Sequence, residues 1–422
     1  MTSLAKAFDP RNNAIGFLRW LMAFMVIFSH AGPIAGFYGG KDLGTQWSTE
    51  QSLGGVAVCG FFFLSGFLIT RSKMGRTTTP RFFWHRVMRI FPGWFLALLV
   101  TAFAFAPLAY FRETGSWDGF WNATYESPLT YFSNNFTLVM SQINIAGMGT
   151  STPLYEGHGI LDWNGSAWTL AFEFGAYILV GALGVFGALS NRIVGGTIAG
   201  AIIALAMLQW LGVGDLPGLF GFLSDYRVLL LMAPFAWGML FCFFKDRVPI
   251  DDRLGVAAVL IAGYTYARGG WLVVGQYAFC YALIWFAVRV KALNRWDKYG
   301  DFSYGIYIIG WPLMWFATFF NLQDMGWIVY HAVVIAGVHA YAFLSWHYIE
   351  RPAMALKNWT PRWLQRVLDR IQPKLDRWRR RWRPALIFNE PPTGGALAAP
   401  RSTATRRAPT AMPAPAPEVV AR

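Results

Sequence analysis

The stretch IGFLRWLMAFMVIFSHAGPIAG, residues 15–36, carries only two ionisable side chains, Arg19 and His30. At about 1.5 Å per residue its length matches the hydrocarbon core of a bilayer, so it reads as a membrane-spanning helix. Eleven positions at about 100° each return to within about 20° of the same helix face, and the two side chains lie roughly 16 Å apart along it. One face therefore carries a permanent cation and a titratable imidazole through much of the membrane. Ionisable groups at that depth are costly and by default mark a functional site. The plainer reading is that Arg19 snorkels to one interface and His30 to the other, with no chemistry.

The rest of the chain repeats this apolar pattern. Hydrophobic residues make up 55% of it and charged residues 14%, the composition of a multispanning helical membrane protein. Ten spans are predicted, at 15–36, 52–70, 94–111, 168–189, 193–212, 228–244, 254–267, 271–288, 302–320 and 327–346, the seventh being short. The expected fold is all-α, a polytopic integral membrane bundle of about ten helices.

A net charge of +14 invites a nucleic-acid partner, but the distribution of the basic residues argues against one. Alternate loops hold Arg71, Lys73, Arg76, Arg81, Arg86 and Arg89, then Arg192, then Lys245, Arg247 and Arg253, then Arg289, Lys291, Arg295 and Lys298. The loops between them hold only Lys41, Arg112, Arg227 and Arg268. This is the positive-inside rule, and it predicts a multi-pass membrane protein with both termini cytoplasmic. A nine-span alternative fusing 254–288 would put Arg351, Lys357, Arg362 and Arg366 outside, and is rejected.

Cys59, Cys242 and Cys280 all fall within spans, without disulfide framework or metal-ligand spacing. The first span is too long and too charged for a removed signal peptide. The expected organisation is a cytoplasmic N-terminus at 1–14, a membrane core at 15–350, a basic amphipathic segment at 351–383 and a disordered tail at 384–422. In the third segment Trp363, Leu364, Val367, Leu368, Ile371, Leu375, Trp378 and Trp382 recur at helical spacing among arginines. Such a helix is expected on anionic membrane lipids or packed against the core. Residues 112–167 form the longest loop, outward-facing, of a length typical of lids and binding surfaces.

Within the core a few residues are suited to chemistry. An imidazole in an apolar span favours its neutral form and can accept a proton, as a general base for a hydroxyl requires. Glu173, the only acid of the fourth span, can orient His30 or bind an acceptor hydroxyl, or can rest near a helix N-terminus for its dipole. Arg86 and Arg89 share a helix face, and their forked guanidinium groups suit the phosphates of a cofactor, although positive-inside charge alone would also put them there. Ser65-Gly66, set among phenylalanines, reads as a close-packing site rather than a nucleophile, lacking the Gly-x-Ser-x-Gly context.

Taken in order, Arg19 with His30, Gly60-Phe61-Phe62-Phe63-Leu64-Ser65-Gly66-Phe67-Leu68-Ile69, Arg86-x-x-Arg89 before Pro92, Trp168-Thr169-Leu170 with Glu173, Ser303-Tyr304-Gly305-Ile306-Tyr307 and Tyr348-Ile349-Glu350-Arg351-Pro352 resemble the acyltransferase-3 family of integral membrane O-acyltransferases. The resemblance implies a ten-span core that moves an acyl group, usually acetyl from acetyl-CoA, onto hydroxyls of a surface, exported or lipid-linked glycan. It implies that Arg19 and His30 are essential, with Glu173 beside them as a catalytic candidate, and that Arg86 and Arg89 serve acyl-CoA. One departure is visible: where relatives often carry His after the ninth-span tyrosine, this chain reads Ile308-Ile309-Gly310-Trp311-Pro312. Many members also fuse a soluble hydrolase-like domain after the core, and the tail here reads as too short for one. The rival readings are a secondary transporter or flippase using Arg19, His30 and Glu173 as a polar path, and an acyltransferase with a cytoplasmic small-molecule acceptor.

Overall fold

A computed structural model describes residues 1–359 except Arg76, 214–220, 222–224 and Arg295, together with Arg366, Arg370, Pro373, Lys374 and Arg377. Helices stand at all ten predicted positions: α1 Ile15–Ala35, α2 Leu53–Met74, α3 Thr79–Val100, α4 Trp168–Val185, α5 Arg192–Trp210, α6 Tyr226–Phe243, α7 Asp252–Arg268, α8 Gln276–Arg289 after a π turn at Trp271–Gly275, α9 Ser303–Thr318 and α10 Trp327–Ser345. Among the described residues eight helices are long and apolar enough to cross a membrane. The other two, α7 and α9, run 17 and 16 residues, roughly 24–26 Å at helical rise. The only described ladder is short, Thr2–Ser3 antiparallel to Pro249–Ile250.

The third span differs from its predicted bounds of 94–111. It is the outer part of a 36-residue helix, Thr79–Thr114, that runs through Pro92 and through a π turn at Thr101–Phe105. Pro92 removes one intrahelical donor without ending the helix, so Arg86 and Arg89 belong to the spanning helix and not to a loop before it. The hydrophobic positions of the predicted amphipathic segment, from Trp363 on, and the predicted disordered tail lie outside the described residues.

Cross-loop bonds sort the connections into two sets. On one side, besides the ladder, Trp84 Nε1 donates to the Leu356 carbonyl at 3.0 Å and Asn294 bonds Asn12. On the other, His158 Nε2 meets the Gly40 carbonyl at 2.7 Å, Trp327 Nε1 donates to the Tyr38 hydroxyl, and Glu50 accepts from the amides of Gly270 and Leu272. Every one of these bonds joins segments that the charge pattern assigns to the same side. Gly269 and Gly270, at φ 95° and 91°, break the chain between α7 and α8, a conformation open to glycine at little cost. The Glu50 carboxylate then satisfies amides at that break.

Packing centres on α2, which lies against α1, α4, α6 and α8, while α9 lies against α1, α3 and α10. Gly66 of α2 and Gly238 of α6 let those backbones touch, since a Cβ on Gly66 would strike the Phe235 backbone and one on Gly238 that of Phe63 and Phe67. Small residues at a helix crossing are the usual means of close approach in lipid. Gly66 thus packs as its sequence context predicts.

Candidate active site

Pro33, inside α1, has no amide hydrogen. The Ser29 carbonyl one turn earlier therefore lacks its intrahelical donor, and it accepts from the Leu43 backbone N–H at 3.1 Å. Gly36 ends the helix at φ 76°, and Gly32 leaves free the space through which the returning Lys41 carbonyl passes. The returning loop sets Asp42 against His30. Nδ1–H of His30 donates to Asp42 Oδ1 at 2.7 Å, and Ser29 Oγ donates to the same oxygen at 3.1 Å.

In the neutral ring an Nδ1 donor leaves the lone pair on Nε2. Burial by itself pushes the Asp42 carboxyl up, but the hydrogen bond and charge of His30 outweigh it and leave Asp42 below its ordinary value. Asp42 is therefore a carboxylate at neutral pH. The Trp311 ring packs edge-on to the imidazole at 5.0 Å, and its indole N–H donates to the Asp162 carbonyl at 2.8 Å. Asp162 is enclosed by this packing, and burial raises its carboxyl to about 6 against the lowering effect of the Asn164 N–H.

The other four predicted residues meet elsewhere. Arg19, Arg86, Arg89 and Glu173 line one open cavity. Glu173 accepts from the Tyr177 hydroxyl, so orientation of His30, one of its two predicted roles, falls to Asp42 instead. The Arg86 guanidinium rests over the Phe82 and Tyr177 rings at 5.8 and 5.7 Å, and its Nε is buried without a hydrogen-bond partner. Arg89 is tied more firmly, to Asp301 at 2.5 Å and Glu350 at 3.5 Å.

Asp301 also pairs with Arg19 at 2.5 Å and accepts from Ser303 Oγ at 2.5 Å. Burial would raise its carboxyl, but the two guanidinium groups hold it well below the usual carboxylate range. The Ser303-Tyr304-Gly305 motif thereby acquires a physical basis. Ser303 orients the bridging carboxylate, the Tyr304 hydroxyl donates to the Ile90 carbonyl of α3 at 2.8 Å, and Gly305 admits Ala342 of α10.

The cavity and the His30 dyad face each other across one turn of α9. Tyr307 lines the cavity, its hydroxyl 2.6 Å from Thr169 Oγ1 and donating to the Ser166 carbonyl at 3.0 Å. Trp311, four residues on, touches His30, a separation of roughly 6 Å along the helix. The long loop descends between them: Asn164 Nδ2 donates to the Ile308 carbonyl at 3.1 Å, and Gly165 lies so close to the Trp311 ring that a Cβ would stand 2.6 Å from it.

Asp42, Asp301 and the partner role of Glu350 are the features that residue-by-residue reading missed. Asp42 had one signal, being the first acid after His30, and Asp301 had another, standing two residues before Ser303. Residues 12–349 match the family described as an acyltransferase domain. The chain is similar to an "O-acetyl transferase" of Shigella phage Sf6, 26% identical over 388 residues, covering 86% of this chain and 98% of that protein. It is also similar to "Nodulation protein 10" of Rhizobium leguminosarum bv. viciae, 26% identical over 377 residues, 82% of this chain and 94% of the other. No solved structure matches.

Proposed function

The chain belongs to the acyltransferase-3 family of multi-pass membrane O-acyltransferases, and from that premise we propose that it moves an acetyl group from cytoplasmic acetyl-CoA to a hydroxyl of a surface or lipid-linked glycan at a bacterial cell membrane. The observation that carries this reading is the division of the polar residues into two stations. Arginines line a cavity on one side of Tyr307, and a His30–Asp42 dyad lies one helical turn of α9 beyond it, against Trp311. The name of the phage relative, an O-acetyl transferase, supports acetyl as the group moved.

In this mechanism Arg86 and Arg89 serve the donor, Arg86 directly and Arg89 through the carboxylates it fixes. Arg86 is the freer of the two, and its forked guanidinium suits the carbonyls along the donor's arm within the cavity. The arm of the thioester lies along the cavity, with Glu173 and Tyr307 at its inner wall. His30 Nε2 removes the proton of the acceptor hydroxyl as the oxygen attacks the thioester carbonyl carbon; the C–S bond breaks, and the thiolate takes the proton back from the imidazolium. Asp42 holds the tautomer and stabilises the imidazolium, the arrangement familiar from acyl-transfer triads. Arg19, at the end of the cavity away from His30, holds the donor's arm where it enters.

Mass spectrometry of surface glycans tests the reading. Cells expressing the protein are expected to carry O-acetylated glycans, and a His30→Ala strain to lack them, since loss of a general base costs roughly 100-fold or more. Acetylation above about a tenth of wild type in that strain would overturn the role given to His30.

A further inference from the structure

A second hollow adjoins the first and shares Arg19 and Leu68 with it. It opens on the face that carries the N-terminal segment, and Arg11, Arg71 and Asp301 line it along with the first turn of α1. Its charge is unbalanced. Asp301 is already shared between Arg19 and Arg89, while no carboxylate pairs with Arg11 or Arg71 among the described residues. The Arg71 guanidinium lies over the Phe8 ring at 5.2 Å, a contact that leaves its N–H groups for a ligand. The N-terminus of α1, a 21-residue helix, adds its positive end at Ile15 and Gly16.

We propose that this mouth binds the phosphates of the donor's nucleotide, Arg11 and Arg71 taking the 3′-phosphate or diphosphate while the acyl arm passes Arg19 into the inner cavity. The inference rests on acetyl-CoA being the donor. It separates two tasks: recognition of the nucleotide at the mouth, and handling of the thioester within. Arg11 and Arg71 therefore set specificity for a nucleotide-bearing thioester over a bare one. Neither touches the reacting atoms.

The test uses the full chain in nanodiscs of neutral phosphatidylcholine, with water attacking the thioester in the acceptor's place and release of free thiol measured from acetyl-CoA and from acetylpantetheine, which lacks the nucleotide. In the Arg11→Gln, Arg71→Gln double variant the ratio of kcat/KM for acetyl-CoA to that for acetylpantetheine is expected to fall roughly tenfold or more, the scale of a lost charge-assisted hydrogen bond. Arg11→Gln alone, a change on an exposed loop residue, is expected to shift the ratio in the same direction, so a double variant that fails to insert leaves the question decidable. An unchanged ratio would overturn the proposal. A fall seen only when phosphatidylglycerol is added to the discs would also overturn it, since the mouth would then be reading lipid headgroups. Wild-type protein that releases thiol from neither compound would sink the donor assignment itself, a result distinct from an active enzyme whose ratio does not move.

Discussion

Because Pro33 supplies no donor to the Ser29 carbonyl, the loop that delivers Asp42 has an anchor in the helix itself. Replacement of Pro33 by Ala would give that carbonyl an intrahelical competitor, so kcat is expected to drop severalfold while KM for the donor holds, a split that steady-state kinetics reads directly. Asp42→Asn removes the carboxylate while keeping the shape, and about a 100-fold loss in kcat is expected from the misassigned tautomer; a loss under threefold would remove Asp42 from the mechanism. The depressed Asp42 carboxyl contributes stability that is present above its ordinary value near 3.8 and lost only as pH falls below it. Asp162 behaves in the opposite sense. Its carboxyl is raised to about 6, so its folded environment favours the protonated form, and that contribution fades as pH rises from its ordinary value through about 6. Fluorescence of the adjoining tryptophans, Trp163 and Trp311, is expected to report a loosening of this loop over that interval, and Asp162→Asn is expected to abolish the transition. A transition that survives in the variant would assign it to another group.

Among the elements, α2 and α3 carry the strictest demands. Gly66 and Gly238 meet backbone to backbone at the α2–α6 crossing, so Gly66→Val has no low-cost rearrangement open to it. A drop of several degrees in the apparent melting temperature of detergent-solubilised protein is expected; an unchanged value would mean the two helices can separate without cost. The helix through Thr79–Thr114 was only partly legible. Hydropathy marks its apolar part at 94–111, whereas the part before it looks like a loop because Arg81, His85, Arg86 and Arg89 interrupt its apolar residues. The short α7 was legible as a separate span for a different reason: fusing it with α8 would carry Arg351 and Lys357 to the other side from the remaining basic loops.

At the scale of the whole molecule the sorting of the connections into two sets follows from charge, and long-range pairing does not. The bonds between loops agree with the sidedness read from the basic residues, so the alternation of ten segments was available in the sequence. The bridge formed by Asp301 was not, since Arg19 lies 282 positions from it and Arg89 lies 212, and nothing local distinguishes that carboxylate from other acids. Arg19, Arg86, Arg89 and Glu173 could be named singly, but that they share a cavity while His30 stands apart required the fold. The central claim is that a donor reached from the basic face is used by a histidine nearer the opposite one. Sealed everted and right-side-out membrane vesicles, supplied externally with acetyl-CoA and assayed for free thiol, test it most directly. Release is expected from everted vesicles, none from right-side-out ones, and a fall of roughly 100-fold or more in everted vesicles carrying His30→Ala. Equal release from both orientations, or release that survives the substitution, would contradict the account.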